Sequence, residues 1–68
     1  MIQVAVVFEP DEGGWHVYAP VLKGVHSFGE TRDEARRNVI EAIELWLEVA
    51  REQGLSIPEM ETLEVPAA

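Results

Sequence analysis

Hydrophobic residues recur with helical spacing over one long stretch of the chain, residues 31–53. Thr31 and Glu34 form a capping-box pattern, in which the threonine hydroxyl accepts the Glu34 amide and the glutamate returns to the Thr31 amide. Gly54 can adopt the left-handed conformation that ends helices, and Pro58 prevents continuation. The pattern therefore predicts a helix over residues 31–53.

The two faces of this helix differ strongly in polarity. The polar residues cover about a third of the circumference and are mostly acidic: Asp33, Glu34, Arg37, Glu41, Glu44, Glu48, Arg51 and Glu52. The apolar arc is wider than packing against one sheet requires. Its predicted centre, facing the sheet, consists of Ala35, Val39, Ala42, Trp46, Val49 and Ala50. Ile40 and Leu47 lie on a flank that this small chain can hardly cover, which points to a partner; the alternative is that the last strand or the tail partly buries it.

Alternation of apolar and polar residues predicts strands before the helix. A first strand, residues 2–9, directs Ile2, Val4, Val6 and Phe8 towards the core. The proline and glycines of residues 9–14 are typical of a hairpin turn. The second strand, residues 15–19, has Trp15, Val17 and Ala19 on one face and His16 and Tyr18 on the other, and Pro20 ends it.

A third and a fourth strand complete the prediction. Residues 21–24 form a connection, and residues 25–29 a strand with Val25 and Ser27 inward and His26 and Phe28 outward. After the helix, residues 61–65 form a weak strand with Leu63 and Val65 inward, and residues 66–68 are expected to be frayed.

These elements predict an α+β fold with ββαβ character: a four-stranded mixed sheet in the order 3-2-1-4, with one helix on one face. A right-handed crossover places the fourth strand beside the first. The other face of the sheet has no helix to cover it. An open face with two histidines, a tyrosine and a phenylalanine indicates a second surface for a partner.

Composition narrows the classes of function. The 68 residues form one domain, residues 1–68, with no cysteine for disulfides or thiolate metal sites and no signal peptide, so a cytoplasmic location is expected. The net charge of −8 makes nucleic acid a poor partner and suits a basic protein, and no stretch resembles a membrane span. Acidity can also serve solubility alone. A core this small favours a homo-oligomer, a dimer or tetramer.

Catalytic and ligand-binding interpretations find little support. Glu9, Asp11 and Glu12 could bind Mg²⁺, but acids are ordinary in an exposed turn. His16 and His26 could share a metal or act as a base, although no cysteine or inward carboxylate accompanies them. We therefore predict no enzyme activity, no cofactor and no metal.

Several short motifs, in this order and spacing, resemble the HicB-like antitoxins of toxin–antitoxin modules. They are Phe8-Glu9 before the acidic turn; Trp15 and Val17 before Pro20; Leu22 and Gly24; Gly29-Glu30-Thr31 before Glu34-Ala35; and Asn38, Ala42, Leu45, Trp46 and Leu47. The resemblance implies a truncated RNase H-like fold without nuclease carboxylates that binds and neutralises a small basic RNase toxin of the HicA type. Many members add a DNA-binding domain, which is not expected here because the chain ends at Ala68.

Two hypotheses follow. The first is an antitoxin that masks a HicA-like toxin; the alternative is a stand-alone homo-oligomeric interaction domain with an unrelated partner or ligand. The candidate interface residues are Ala5, Val7, His16, Tyr18, His26, Phe28, Ile40 and Leu47.

Overall fold

Three strands and one helix follow one another along residues 2–67, the part of the chain that the computed structural model describes. Their bounds are β1 (Val7–Asp11), β2 (Gly14–Tyr18), β3 (His26–Gly29) and α1 (Arg32–Gln53). The α+β class and the single helix agree with the sequence prediction.

The strands form an antiparallel sheet in the order β1-β2-β3. A two-residue turn joins β1 to β2, in which Glu12 and Gly13 both have positive φ, 43° and 82°. Turns of this kind match the right-handed twist of a hairpin. The turn is therefore shorter than the predicted 9–14 loop, because both strands extend into it.

The first strand begins later than predicted. Val7 pairs with Tyr18, but beyond Tyr18 the chain turns away and the Ala19 amide donates to Val25 O at 3.0 Å. Residues 2–6 thus have no partner in β2 and lie outside the sheet. The predicted inward direction is confirmed for Val4, Val6 and Phe8, which pack against the core, whereas Ile2 is 42% exposed.

Both ends of α1 are capped. Thr31 Oγ1 accepts the Glu34 amide at 3.0 Å, as predicted. The Glu34 carboxylate accepts the amide of Glu30 at 3.0 Å, one residue before the predicted partner Thr31. At the other end Gly54 has φ 68°, and the Leu55 amide donates to Ala50 O at 2.8 Å. This is the Schellman arrangement.

The core lies between one face of the sheet and α1. Its buried side chains are Val17, Ala19, Leu22, Val25, Ala35 and Val39, with Val4, Val6, Phe8, Trp15, Ala42, Ile43 and Trp46 packed around them. Asn38 Nδ2 also donates to Phe28 O at 2.7 Å and ties α1 to β3.

The helix is longer than the sheet. Its 22 residues extend about 33 Å, whereas a strand of five residues spans about 17 Å. Ala35 and Val39 in the first half are buried, but Val49, predicted to face the sheet, is 39% exposed. The prediction for Val49 is wrong because it lies beside Leu45 at the edge of the apolar arc, whereas Ala50, one residue further along, is 2% exposed as predicted.

The predicted fourth strand and the order 3-2-1-4 are not confirmed. The described residues 55–67 contain no strand, and Leu63 and Val65 are 70% and 77% exposed rather than inward. Met60 and Thr62 border the same small cavity as residues 3–5, so the tail passes beside the first segment without pairing. Pro66 and Ala67 are exposed, and the remaining residue expected to be frayed, Ala68, lies outside the described residues.

Candidate interaction surfaces

The sheet has one face turned away from α1, which we call the open sheet face. Strand register places two rows of side chains on it: Val7, Tyr18 and His26 in one row and Glu9, His16 and Phe28 in the other. The predicted candidates of β1, β2 and β3 therefore lie together. Ala5 is exposed but precedes the strand.

Aromatic rings dominate the middle of the open sheet face. The rings of His16 and Tyr18 stack with centroids 5.6 Å apart, and His26 lies 5.7 Å from His16 on its other side. Glu9 Oε1 is 3.6 Å from His16 Nδ1. Phe28 is 47% exposed beside them. The face therefore offers flat rings and polar edges, the combination that favours contact with another protein.

A shallow cavity of about 390 Å³ lies at one end of this face. Its lining comes from β2, β3 and the connection between them: His16, Tyr18, Ala19, Pro20, Leu22, Lys23, Gly24, Val25 and His26. The described residues contain no group of three or more histidine, cysteine or acidic side chains that could hold a metal ion. The cavity makes this end of the open sheet face concave.

The second surface is an apolar groove along α1, which we call the flank groove. Its larger part, about 530 Å³, is lined by Ile2, Val4, Ile40, Ile43, Glu44 and Leu47. A further 350 Å³ continues along Ile2, Leu47, Ala50, Arg51, Leu55 and Ile57. Ile40 is 48% exposed and Leu47 is half-buried, so this flank is open as the helical pattern predicts.

Sequence reasoning did not single out the opposite flank of α1. Leu45 is 62% exposed, more than any other large apolar residue of the helix, and it lines a cavity of about 310 Å³ with Val49, Trp46 and Lys23. Its position in the sequence indicated this exposure, because Leu45 lies one turn from both Glu41 and Glu48, at the border of the polar face.

The charges of α1 are distributed unevenly. Asp33 pairs with Arg37 at 2.9 Å and with Arg36 at 3.5 Å in the first turns. Further along, Glu41, Glu44 and Glu48 are exposed and, within residues 2–67, have no cation at ion-pair distance. We call these three glutamates the acidic stripe; Glu44 lines the flank groove, and Glu41 and Glu48 lie beyond it, one turn from Leu45.

The turn acids considered as Mg²⁺ ligands do not form a cluster. Asp11 and Glu12 are exposed at the hairpin, while Glu9 lies beside His16. Ser27 lies on the opposite side of the sheet from the two histidines, since it pairs with buried Val17. The described chain also has no helix of the length and hydrophobicity needed to cross a membrane.

Comparison with known proteins agrees with the resemblance. Residues 4–68 match the family described as HicB_like antitoxin of bacterial toxin-antitoxin system. A UPF0150 protein of Synechocystis is 40% identical over 55 residues, covering 81% of this chain and 70% of the relative. UPF0150 proteins of Helicobacter pylori and Archaeoglobus fulgidus are 48% and 43% identical, over 65% and 74% of this chain and 61% and 74% of their own lengths.

No solved structure matches the chain. The sequence match covers all four elements of the fold and both candidate surfaces except Ile2. On this evidence the chain belongs to the HicB-like antitoxin family.

Proposed function

We propose that this chain binds a small basic RNase toxin of the HicA type and neutralises it by covering its active site. The observation that carries the proposal is the family match over residues 4–68. Membership of an antitoxin family implies a toxin partner in general. The HicA type of the toxin and the truncated RNase H-like fold are implied by the resemblance of the motifs described above.

Charge supports a basic partner. The chain carries 13 acidic and 5 basic residues, a net charge of −8. Complementary charge steers two proteins together and raises the association rate, whereas the affinity depends on a few well-buried contacts. The exposed acidic stripe on α1 provides a local source of that field.

The open sheet face and the flank groove supply the contacts. Interface hot spots are enriched in aromatic side chains that become fully buried on binding. Tyr18 and Phe28 on the sheet meet this description, and Ile40 and Leu47 on the helix add aliphatic surface. Ala5, Val7, His16 and His26 complete the proposed set of interface residues.

Co-expression tests the proposal directly. Any short basic protein encoded in a neighbouring reading frame would be expressed alone and together with this chain, and growth and co-purification would be measured. We expect the basic protein alone to stop growth and the pair to restore it and co-purify. A harmless neighbour that fails to co-purify contradicts the antitoxin proposal.

Binding kinetics provide a second prediction. Raising salt from about 50 mM to about 500 mM should slow association more than it speeds dissociation, because exposed charges are screened within about 10 Å at 0.1 M. Phe28→Ala or Leu47→Ala should mainly speed dissociation, by an amount equivalent to about 2 kcal/mol at a hot spot. Surface plasmon resonance separates the two rates. Salt-independent association would contradict the role of charge.

The chain is proposed to act without catalysis. Antitoxins of this kind are generally not enzymes, and the acids of the hairpin are dispersed and exposed. Incubation with RNA and Mg²⁺ or Mn²⁺ should leave the RNA intact. Cleavage that disappears in Glu9→Gln or Asp11→Asn would contradict this part of the proposal.

A second candidate function is a homo-oligomeric interaction domain with a different partner. The observation that favours it is the amount of exposed apolar surface, which includes Phe28, Ile40 and Leu45 at 47%, 48% and 62% exposure. A second copy of the chain could cover part of this surface. The two candidates differ in the co-expression experiment, because only the antitoxin rescues cells from its neighbour.

A further inference from the structure

The flank groove combines an apolar floor with an acidic border. The floor is formed by large aliphatic side chains, of which Ile2, Ile40, Leu55 and Ile57 are 42–52% exposed. Glu44 lies in the lining, and Glu41 and Glu48 follow on the adjacent strip of the helix surface. A ligand in this groove would meet hydrocarbon below and carboxylates along one side.

The shape of the groove suits a helix. It follows α1 from Ile40 to Arg51, a distance of about 16 Å at 1.5 Å per residue. Three turns of a partner helix have the same length and present apolar side chains at i, i+3 or i+4, and i+7. The two parts of the groove, about 530 and 350 Å³, are large enough to take several such side chains.

We propose that the flank groove is the docking site for an amphipathic helix of a partner protein, with its apolar side chains on Ile40, Ile43 and Leu47 and its lysines or arginines facing the acidic stripe. This deepens the proposed function, since it assigns the chemistry of the partner's contacting segment and one of the two candidate surfaces. It rests on a basic partner but does not require that partner to be a HicA-type toxin.

Charge complementarity favours a basic amphipathic helix in the flank groove over two other occupants, a second copy of the chain and the chain's own tail. A second copy in the groove would bring another acidic chain, with a net charge of −8, against Glu41, Glu44 and Glu48. The chain's own tail is also acidic, with Glu59, Glu61 and Glu64, and its Leu63 and Val65 are 70% and 77% exposed. A basic amphipathic helix avoids these contacts between acids and meets one cation in the lining, Arg51, at the far end of the groove.

A peptide titration of the full chain tests the proposal without a toxin. The probe is a fluorescein-labelled amphipathic peptide of about 18 residues, long enough to form a helix, with leucines on one face and lysines on the other. A peptide with glutamates in place of the lysines and a scrambled peptide serve as controls. By fluorescence anisotropy at low salt, we expect the lysine peptide to bind at least about tenfold more tightly than either control.

Matched variants locate the binding. Ile40→Ser should weaken binding of the lysine peptide about tenfold. Phe28→Ser, on the open sheet face, should change this binding little. The two substitutions are matched because the side chains are 48% and 47% exposed. Leu45→Ser makes the same comparison for the opposite flank. Glu44→Gln with Glu48→Gln should weaken binding at low salt more than Glu9→Gln with Glu12→Gln, because Glu44 lines the groove and Glu48 follows it one turn along α1, whereas Glu9 lies beside His16 on the open sheet face.

Backbone amide chemical shifts provide a measurement that needs no variant. Titration of the isotope-labelled wild-type chain should shift the amide signals around Ile40, Glu44 and Leu47 more than those around Tyr18 and Phe28. Larger shifts on the open sheet face, or equal losses in Ile40→Ser and Phe28→Ser, overturn the proposal. Equal binding of the lysine and glutamate peptides overturns it as well.

A second copy or the chain's own tail in the flank groove would each give a distinct result, and either result overturns the proposal. A dimer of the free chain that Ile40→Ser converts to a monomer would assign the groove to a second copy. Nuclear Overhauser contacts between Leu63 or Val65 and Ile43 in the free chain would assign it to the tail. A chain that binds the peptide in the groove but no neighbouring toxin contradicts the HicA partner alone, whereas toxin binding unaffected by Ile40→Ser contradicts the groove alone.

Discussion

At the scale of single residues, Gly29 sets the distance between the sheet and the helix. A Cβ at this position would overlap the backbone N of Ala35 in the first turns of α1. Ala35 is itself fully buried, and Asn38 donates to Phe28 O in the same contact region. The absence of a side chain at the end of β3 thus permits the close packing on which the core depends.

We expect Gly29→Ala to destabilise the chain by about 1–3 kcal/mol, the usual cost of overpacking against backbone that cannot move aside. Chemical denaturation followed by circular dichroism measures the free energy of unfolding. Gly24→Asn is the control: this glycine has φ 82° and open space around it, and asparagine tolerates that conformation. A smaller loss in Gly29→Ala than in Gly24→Asn would contradict the close-packing argument.

A cation–π contact also joins the start of α1 to an aromatic side chain that packs against the core. The guanidinium of Arg32 lies 4.1 Å from the ring centre of Phe8, which is itself packed against the core. A cation over a ring face is attracted by the quadrupole of the ring. The first residue of α1 is therefore connected to β1, the strand farthest from β3 in the sheet.

At the scale of elements, the start of α1 depends on a hydroxyl group. Thr31 has extended φ and ψ angles, −121° and 160°, and its side chain accepts the Glu34 amide. Without this acceptor one of the first helical amides has no side-chain partner. The same turn contains Asp33 and Glu34, whose negative charges suit the positive end of the helix dipole.

Thr31→Ala should therefore lower the free energy of unfolding by about 1 kcal/mol. Thr31→Ser keeps the hydroxyl and should lose less than half of that amount. Thermal and chemical denaturation of the three proteins at one concentration give the comparison. Equal destabilisation by alanine and serine would indicate that the threonine methyl group, rather than the hydroxyl, stabilises the helix start.

The tail after α1 contributes little to the fold by this structure. Its Leu63 and Val65 are exposed and it makes no strand, so removal of residues 61–68 should change the free energy of unfolding by less than about 1 kcal/mol. Denaturation of the shortened chain at the same concentration tests this. A loss of several kcal/mol would mean that the tail pairs with residues 2–6 as the fourth strand that the sequence pattern predicts.

At the scale of the whole molecule, the helix covers one face of the sheet and the second face is open. A small domain buries a limited share of its surface, and this one also leaves both flanks of α1 exposed. Exposed apolar patches of this kind mark interaction surfaces. The fold therefore leaves apolar surface open for association, and we expect the acidic stripe to favour basic partners.

We expect the isolated chain to be a homo-oligomer, a dimer or a dimer of dimers. The reason is that the described residues leave apolar side chains exposed on the open sheet face and on both flanks of α1. Light scattering at concentrations from about 1 to 100 µM gives the mass, a range set by the weak association expected of a small interface. Phe28→Ser and Leu45→Ser would show whether the open sheet face or the second flank of α1 is the contact. A monomer throughout this range would contradict the prediction.

The sequence alone determined the elements whose causes are local. Hydrophobic spacing, a hydroxyl cap and a terminal glycine predicted α1, and the alternation around Trp15, Val17 and Ala19 predicted the buried face of β2. The same alternation placed His16, Tyr18, His26 and Phe28 on the open sheet face, because side chains of paired strands keep their direction across a sheet. The resemblance to HicB-like antitoxins was also present in these motifs and is confirmed.

Some features depend on which backbone segments meet, and only the tertiary structure decided these. Residues 2–6 alternate like a strand but have no partner, because the chain turns away at Ala19, and the tail beside them remains unpaired. The exposure of Val49 depends on how far the sheet and the connection between β2 and β3 reach across α1, which no local pattern contains. For the same reason the flank groove appears only in three dimensions: its floor joins Ile2 and Val4 to Ile40 and Leu47, residues about forty positions apart in the chain that side-chain periodicity alone does not relate.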